Sequence, residues 1–229
     1  MSALRPAVVL LSGGLDSSVL LHHVAKDLNC PEIHALSFNY GQRHSRELVC
    51  ANAQARDVGV AAHRVMDITF MGALIQAGSA LIEGGEEVPD LDALTTEELT
   101  QPPTYVPNRN MMLLSMAAAY AEAHGITDVY YGAQAQDEYG YWDCTRTFLE
   151  RINNVLVLNR KAPVTVHAPF VAFSKGDTVK KGIALGVDFT QTWSCYRGRE
   201  EACGTCPTCV ERLNAFAANH TKDPIPYTM

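Results

Sequence analysis

Near the start of the chain an apolar run, Val8-Val9-Leu10-Leu11, stops abruptly at Ser12-Gly13-Gly14-Leu15-Asp16-Ser17, and an amphipathic helical pattern begins at once. Few local geometries accept that order of residues. It predicts a buried parallel strand that feeds a glycine-rich turn at a helix N-terminus. Gly13 and Gly14 let the backbone turn tightly and approach a ligand closely. The unpaired N–H groups of the first helical turn, together with the Ser12, Ser17 and Ser18 hydroxyls, then face an anion. A turn capped only by Ser or Asp is the simpler account. Two glycines and three small polar groups at the end of an apolar strand favour a phosphorylated ligand instead. The pattern G-x-x-x-x-G-K-[ST] is absent, so this is not a Walker loop.

The rest of the chain alternates. Ile33–Asn39 reads as a second strand, Arg46–Val58 as a helix and His63–Ile68 as a third strand. Arg109–His124 reads as a helix and Asp128–Gly132 as a strand. Thr147–Val155 and Lys175–Leu185 read as helices, with Val164–Ala168 extended between them. Strands alternating with helices imply right-handed βαβ units, hence a doubly wound, Rossmann-like parallel α/β sheet. Ligands bind such sheets beyond the carboxyl ends of the strands. Ser12–Ser17, Tyr40-Gly41-Gln42-Arg43-His44 and Gly132–Asp143 all follow strands, so they are expected on one rim. The segment 71–107 interrupts the alternation with Gly84-Gly85, a set of acidic residues and Pro102-Pro103. An insertion of that length is expected to be a lid, a subunit contact or a solvated loop.

At 229 residues the chain suits one domain with an appended lobe, expected as 1–190 and 191–229. The net charge of −7 argues against a broad nucleic-acid surface, which calls for a basic face. A secretory signal and a membrane-length apolar run are both missing, so a cytoplasmic location is expected. Four of the seven cysteines, Cys195, Cys203, Cys206 and Cys209, crowd together near the C-terminus. Two-residue spacers let neighbouring thiolates reach one ion, and four thiolates suit tetrahedral Zn²⁺ in a closed, structural site. An iron–sulfur cluster, redox thiols and inert cysteines are the other readings.

The Ser-Gly-Gly-x-Asp-Ser loop looks like the pyrophosphate-binding loop of the ATP pyrophosphatases, the adenine nucleotide alpha-hydrolase type of fold. The chain as a whole resembles the 7-cyano-7-deazaguanine synthases of the queuosine and deazaguanine pathway. The resemblance is carried by Leu11–Ser17, Phe38–His44, Tyr105-Val106-Pro107-Asn108-Arg109-Asn110, Gly132–Cys144, Leu185–Asp188, Thr192–Tyr196 and the Cys203–Cys209 knuckle. It implies ATP, Mg²⁺ and Zn²⁺ as cofactors, 7-carboxy-7-deazaguanine and ammonia as substrates, and a homodimer.

On this resemblance the pyrophosphate and nucleotide lie along Leu11, Ser12, Gly13, Gly14, Leu15, Asp16, Ser17, Ser18, Val19, Leu20 and Leu21. Asp16 either supports the loop, helps hold Mg²⁺ or caps the first helix. Arg109 meets the substrate carboxylate or the phosphates, or forms a surface salt bridge. Lys175 is a phosphate ligand or a solvated lysine. Arg43 and His44 are expected to contact phosphate or substrate, with His44 as a helix-start residue the alternative; Asp137 and Asp143 to accept from the guanine-like edge; and Tyr141 or Trp142 to stack on the base or else to belong to the core.

Three positions depart from the expected family pattern. Asn108 stands where Gly is expected, Trp142 where Pro is expected and Thr145 where Arg is expected. Asn tolerates left-handed backbone angles. Trp142 adds bulk beside the expected base pocket, which leaves open an endpoint at 7-amido-7-deazaguanine or a branch that modifies DNA. A tRNA-modifying ATP pyrophosphatase is a further alternative; for sulfur transfer it would use Cys144, so Cys144→Ala with undiminished turnover argues against it. A non-catalytic nucleotide-binding module is the last.

Overall fold

The computed structural model describes residues 5–42, 46–75, 78–82, 84–98, 101–135, 141–197 and 200–228. Its strands are β1 Ala7–Leu10, β2 Ile33–Asn39, β3 Ala62–Asp67, β4 Asp128–Tyr130 and β5 Thr165–His167. They form one sheet in the order β3-β2-β1-β4-β5, and every pairing is parallel. The direction of winding reverses beside β1, which places the Ser12–Ser17 turn at the switch point of the sheet. β1 occupies the centre because Val8 and Val9 are fully buried, one toward each face. Burying such a side chain contributes about 1.5–3 kcal/mol.

Helices cover both faces. α1 (Leu15–Lys26), α2 (Arg46–Val58), α6 (Lys175–Leu185) and α7 (Pro207–Ala218) enclose the core around Val9, Leu20, Ala35 and Phe216. α4 (Arg109–Ala123) and α5 (Arg146–Leu156) lie over Val8, Leu36, Val129 and Val166 on the other face. α3 (Thr69–Ile75) runs into the interrupting segment, where sequence reasoning placed no helix. Helix boundaries follow local chemistry. α6 opens with a capping box, in which the Ser174 hydroxyl accepts from Asp177 N–H at 3.1 Å and the Asp177 carboxylate accepts from Ser174 N–H at 3.0 Å. It closes on Gly186 at φ 68°.

The C-terminal segment belongs to both cores. Trp193, Cys195, Cys206, Cys209 and Ile225 pack with the α4 face, while Ala215 and Phe216 pack with the α1 face. Arg212 is fully buried there. Its guanidinium grips Asp223 with two bonds, Nε at 2.7 Å and Nη2 at 3.0 Å, and donates to Thr192 Oγ1 at 2.8 Å. Tyr227 OH also donates to Asp223, at 2.6 Å, so the buried carboxylate is well satisfied. Among the described residues, no helix is long and apolar enough to cross a membrane.

Candidate active site

β1 ends at Leu10, and the chain turns through Gly13 at φ 86°, a left-handed conformation that favours glycine. A Cβ on Gly13 would lie 2.0 Å from the Glu47 carbonyl oxygen and 2.5 Å from the Ala51 nitrogen. α2 therefore packs directly on the turn. From the other side Trp193 N–H donates to the Gly13 carbonyl at 3.0 Å. Serine hydroxyls lock the rest of the turn. Ser12 Oγ accepts from Gly14 N–H at 3.1 Å and shares a bond of 2.9 Å with Ser17 Oγ, which accepts from Ser12 N–H at 3.2 Å. The turn is thus braced by its own hydroxyls, by α2 and by Trp193.

The nucleotide span expected from sequence divides at Ser17. Leu11, Ser12, Gly14, Leu15, Asp16 and Ser17 line a cavity of about 540 Å³. Ser18, Val19, Leu20 and Leu21 do not reach it; α1 turns them into the core, where they are fully buried. The Ser18 hydroxyl is committed to the Gly14 carbonyl at 2.8 Å, so it braces the loop from behind.

Lys175 and Asp16 come together across the cavity mouth. Lys175 is the first residue of α6, and its Nζ donates to Asp16 Oδ2 at 2.8 Å. The pair is partly buried, and Asp16 Oδ1 has no hydrogen-bond partner although it is shielded from solvent. A carboxylate oxygen left this way beside an anion cradle suits a hard cation that is itself bound to phosphate. The ion pair holds the lysine over the cradle rather than in bulk water.

Arg109 starts α4 and lines the same cavity. Its Nη1 donates to Tyr40 OH at 3.4 Å, and its guanidinium carbon lies 5.9 Å from the Tyr40 ring centre. Burial pushes the Tyr40 phenol up, so it stays protonated and able to donate. Tyr141 also lines the cavity, and its hydroxyl pairs with Thr104 Oγ1 of the insertion at 2.8 Å.

Asp143 is placed differently from the base-reading role expected of it. Its carboxylate is buried and accepts from Asn110 N–H at 3.1 Å, which caps the first turn of α4. Burial is the main reason its carboxyl titrates above the usual range, against the pull of that bond and of Arg109. Asn110 and Cys144 line the cavity; Asp143 supports them from behind. Arg43, His44 and Asp137 lie outside the described residues. Sequence reasoning missed several wall residues, among them Tyr196 and Glu211 from the C-terminal segment and Leu91 and Leu94 from the insertion. No local spacing marks these four, because long-range packing alone brings them here.

The three departures find physical accounts. Asn108 is left-handed at φ 55°, a conformation that glycine and asparagine adopt more readily than other residues. Thr145 caps α5, accepting from Phe148 N–H at 3.0 Å. Trp142 does not crowd the cavity: it is 46% exposed, rests edge-on against Phe148 and donates to Tyr105 OH at 2.7 Å. Asn108→Gly is expected to leave the melting temperature unchanged or slightly raised. Asn108→Val is expected to cost about 1–2 kcal/mol from the left-handed backbone, or about 2–8 °C in a chain of this size. Thermal unfolding of the two variants checks this.

The four cysteine sulfurs lie within 4.8 Å of one another, and those of Cys203 and Cys209 are 3.9 Å apart. A tetrahedral ion with metal–sulfur bonds of about 2.3 Å sets its ligands about 3.8 Å apart. Backbone N–H groups point at the sulfurs, Cys206 N at Cys203 Sγ (3.3 Å) and Cys203 N at Cys195 Sγ (3.5 Å), as thiolates require. The residues fit one metal ion.

Comparisons with known proteins agree with this architecture. A family model described as queuosine biosynthesis protein QueC matches residues 6–220. The 7-cyano-7-deazaguanine synthase of Marinobacter nauticus is 47% identical over 221 residues, covering 96% of this chain and 96% of that one. The enzyme of the same name from Hahella chejuensis is 44% identical, covering 96% of this chain and 92% of its own. Among solved structures, the fold is similar to an NMN synthetase from Francisella tularensis, with TM-score 0.53, 13% identity, and 96% of this chain and 79% of that one covered. It is also similar to the U34-tRNA thiolase NcsA from Methanococcus maripaludis, with TM-score 0.52, 13% identity, and 95% and 68% covered. With its phosphate-type cradle, four-cysteine centre and match along nearly the whole length, the chain belongs to the QueC family of queuosine biosynthesis proteins.

Proposed function

We propose that this protein converts 7-carboxy-7-deazaguanine and ammonia to 7-cyano-7-deazaguanine with ATP as the activating reagent. The observation that carries the reading is the continuity of one cavity from the Ser12–Ser17 cradle past Lys175 to Arg109 and Tyr141. A carboxylate resists ammonia because its oxygen is a poor leaving group. Its oxygen attacks the α-phosphorus, the bond to pyrophosphate breaks, and pyrophosphate leaves into the cradle. Ammonia then adds to the acyl carbon, AMP departs with the C–O electrons, and loss of a proton leaves the amide. A second ATP activates the amide oxygen. Loss of the nitrogen-bound protons and of AMP then forms the nitrile. The chain's part is to position the reactants and meet developing charge. Gly14 and the serine turn hold the departing pyrophosphate, Lys175 approaches its oxygens, and Arg109 faces the carboxylate or the α-phosphate.

Mg²⁺ on the phosphates would neutralise charge, with Asp16 Oδ1 as its protein ligand. Zn²⁺ on Cys195, Cys203, Cys206 and Cys209 would serve structure alone, since four thiolates leave no open position. A cubane cluster holds its thiolates apart by the width of the cluster, so the short sulfur separations favour a single ion. The reading includes a cytoplasmic homodimer, a nucleotide-binding unit over 1–190 with 71–107 as lid or subunit contact, and a metal-binding lobe over 191–229. The outward placement of Trp142 favours the nitrile over an amide endpoint. Mass spectrometry of protein supplied with 7-carboxy-7-deazaguanine, ammonium, Mg²⁺ and ATP is expected to show nitrile and AMP rising together. Amide without nitrile would move the endpoint one step back; neither AMP nor a new base would sink the substrate assignment.

A further inference from the structure

One wall of the cavity is shared by two segments far apart in sequence, Leu91 and Leu94 of the insertion and Tyr196 and Thr208 beside the cysteine cluster. Arg197 joins them. Its Nη2 donates to Asp90 Oδ1 at 2.7 Å and to the Val88 carbonyl at 3.0 Å, and its Nη1 donates to Thr205 Oγ1 at 3.0 Å. Leu91 N–H adds a bond to the Thr205 carbonyl at 3.0 Å. Thr205 sits inside the Cys203–Cys206 spacer, so the insertion is fastened to the turn that the thiolates shape. An exposed ion pair alone contributes little. A planar guanidinium that bonds two segments at once fixes both the distance and the orientation between them. Val88 anchors the same stretch in the core.

We propose that Arg197 is a positioning residue for the base substrate. By pinning residues 84–98 to the turn between Cys203 and Cys206, it fixes the cavity wall at Leu91 and Leu94. The identity of the base rests on the synthase reading; the pinning does not.

The test uses metal-loaded protein and the Arg197→Met, Asp90→Asn and double variants. Hydrogen exchange is expected to quicken about tenfold across 84–98, as loss of charge-assisted bonds releases the Leu91 amide, with β1 and α1 unchanged and metal content intact. KM for 7-carboxy-7-deazaguanine is expected to rise about tenfold while KM for ATP stays within about twofold. The double variant should be no worse than Arg197→Met, because both members act through one link. Arg197→Lys, which keeps the charge but loses the fork, should fall between. Unchanged exchange at 84–98, or equal weakening of both substrates, would overturn the proposal. Faster exchange with no turnover of this base even by the wild type would retain the pinning and reject the synthase reading.

Discussion

Gly13→Ala is expected to lose at least about 100-fold in kcat/KM for ATP-dependent AMP release, because displacing positioning groups by about 1 Å already costs that much. The new methyl cannot be accommodated by a rotamer change, since its neighbours at 2.0 and 2.5 Å are the backbone of α2. Either α2 retreats or the turn flattens, and both open the cradle. The left-handed backbone adds about 1–2 kcal/mol and overpacking about 1–3 kcal/mol. Together these correspond to a melting temperature lower by several degrees. Gly14→Ala is the informative control. Gly14 has φ −71°, and its Cβ would meet only the Ser12 hydroxyl at 3.2 Å and the Trp193 carbonyl at 3.5 Å. That variant should melt close to wild type yet bind ATP more weakly, since the methyl intrudes where the anion approaches. Calorimetric titration with ATP and thermal unfolding separate the two. A Gly13→Ala protein with wild-type stability and turnover would refute the packing account.

Removing one thiolate should have the largest effect on stability. Structural zinc supplies on the order of 10 kcal/mol of folding energy in small peptides. Here the cysteines share a core with Trp193, Tyr131 and Ile225 rather than standing apart. On the proposed zinc reading, Cys206→Ser is expected to reduce bound metal from one equivalent to near none and to lower the melting temperature by at least about 20 °C, at about 2–4 °C per kcal/mol. Chelator-treated wild type provides a second measurement that needs no substitution and should show the same fall, reversed by added Zn²⁺. Full retention of stability after zinc is stripped would contradict a structural role.

The elements most legible in the sequence were those with their own punctuation. β2, α2 and α6 occupy the spans read from periodicity, and α6 carries both a capping box and a terminal glycine. α3 escaped notice because it is short and leaves Phe70 and Leu74 exposed, so it shows no buried stripe. The cradle and the four thiolates were legible because their chemistry is local: adjacent glycines, hydroxyls and sulfurs constrain one another within a few residues. The bond from Asn110 N–H to the Asp143 carboxylate was not legible because the two residues are far apart in sequence. The direction of Trp142 was not legible for a related reason, since a side chain on a short turn takes its orientation from neighbours such as Tyr105 and Phe148. Nothing local marks Arg212 as interior; only the fold brings Asp223 and Thr192 to it.

The bond from Trp193 N–H to the Gly13 carbonyl also ties the completion of the turn to long-range folding. The strand and turn lie far from Trp193 along the chain, so the bond that braces the turn forms only once both segments have come together. Completion of the turn is thereby coupled to the docking of a distant segment, through a backbone N–H that any residue but proline at position 193 would supply.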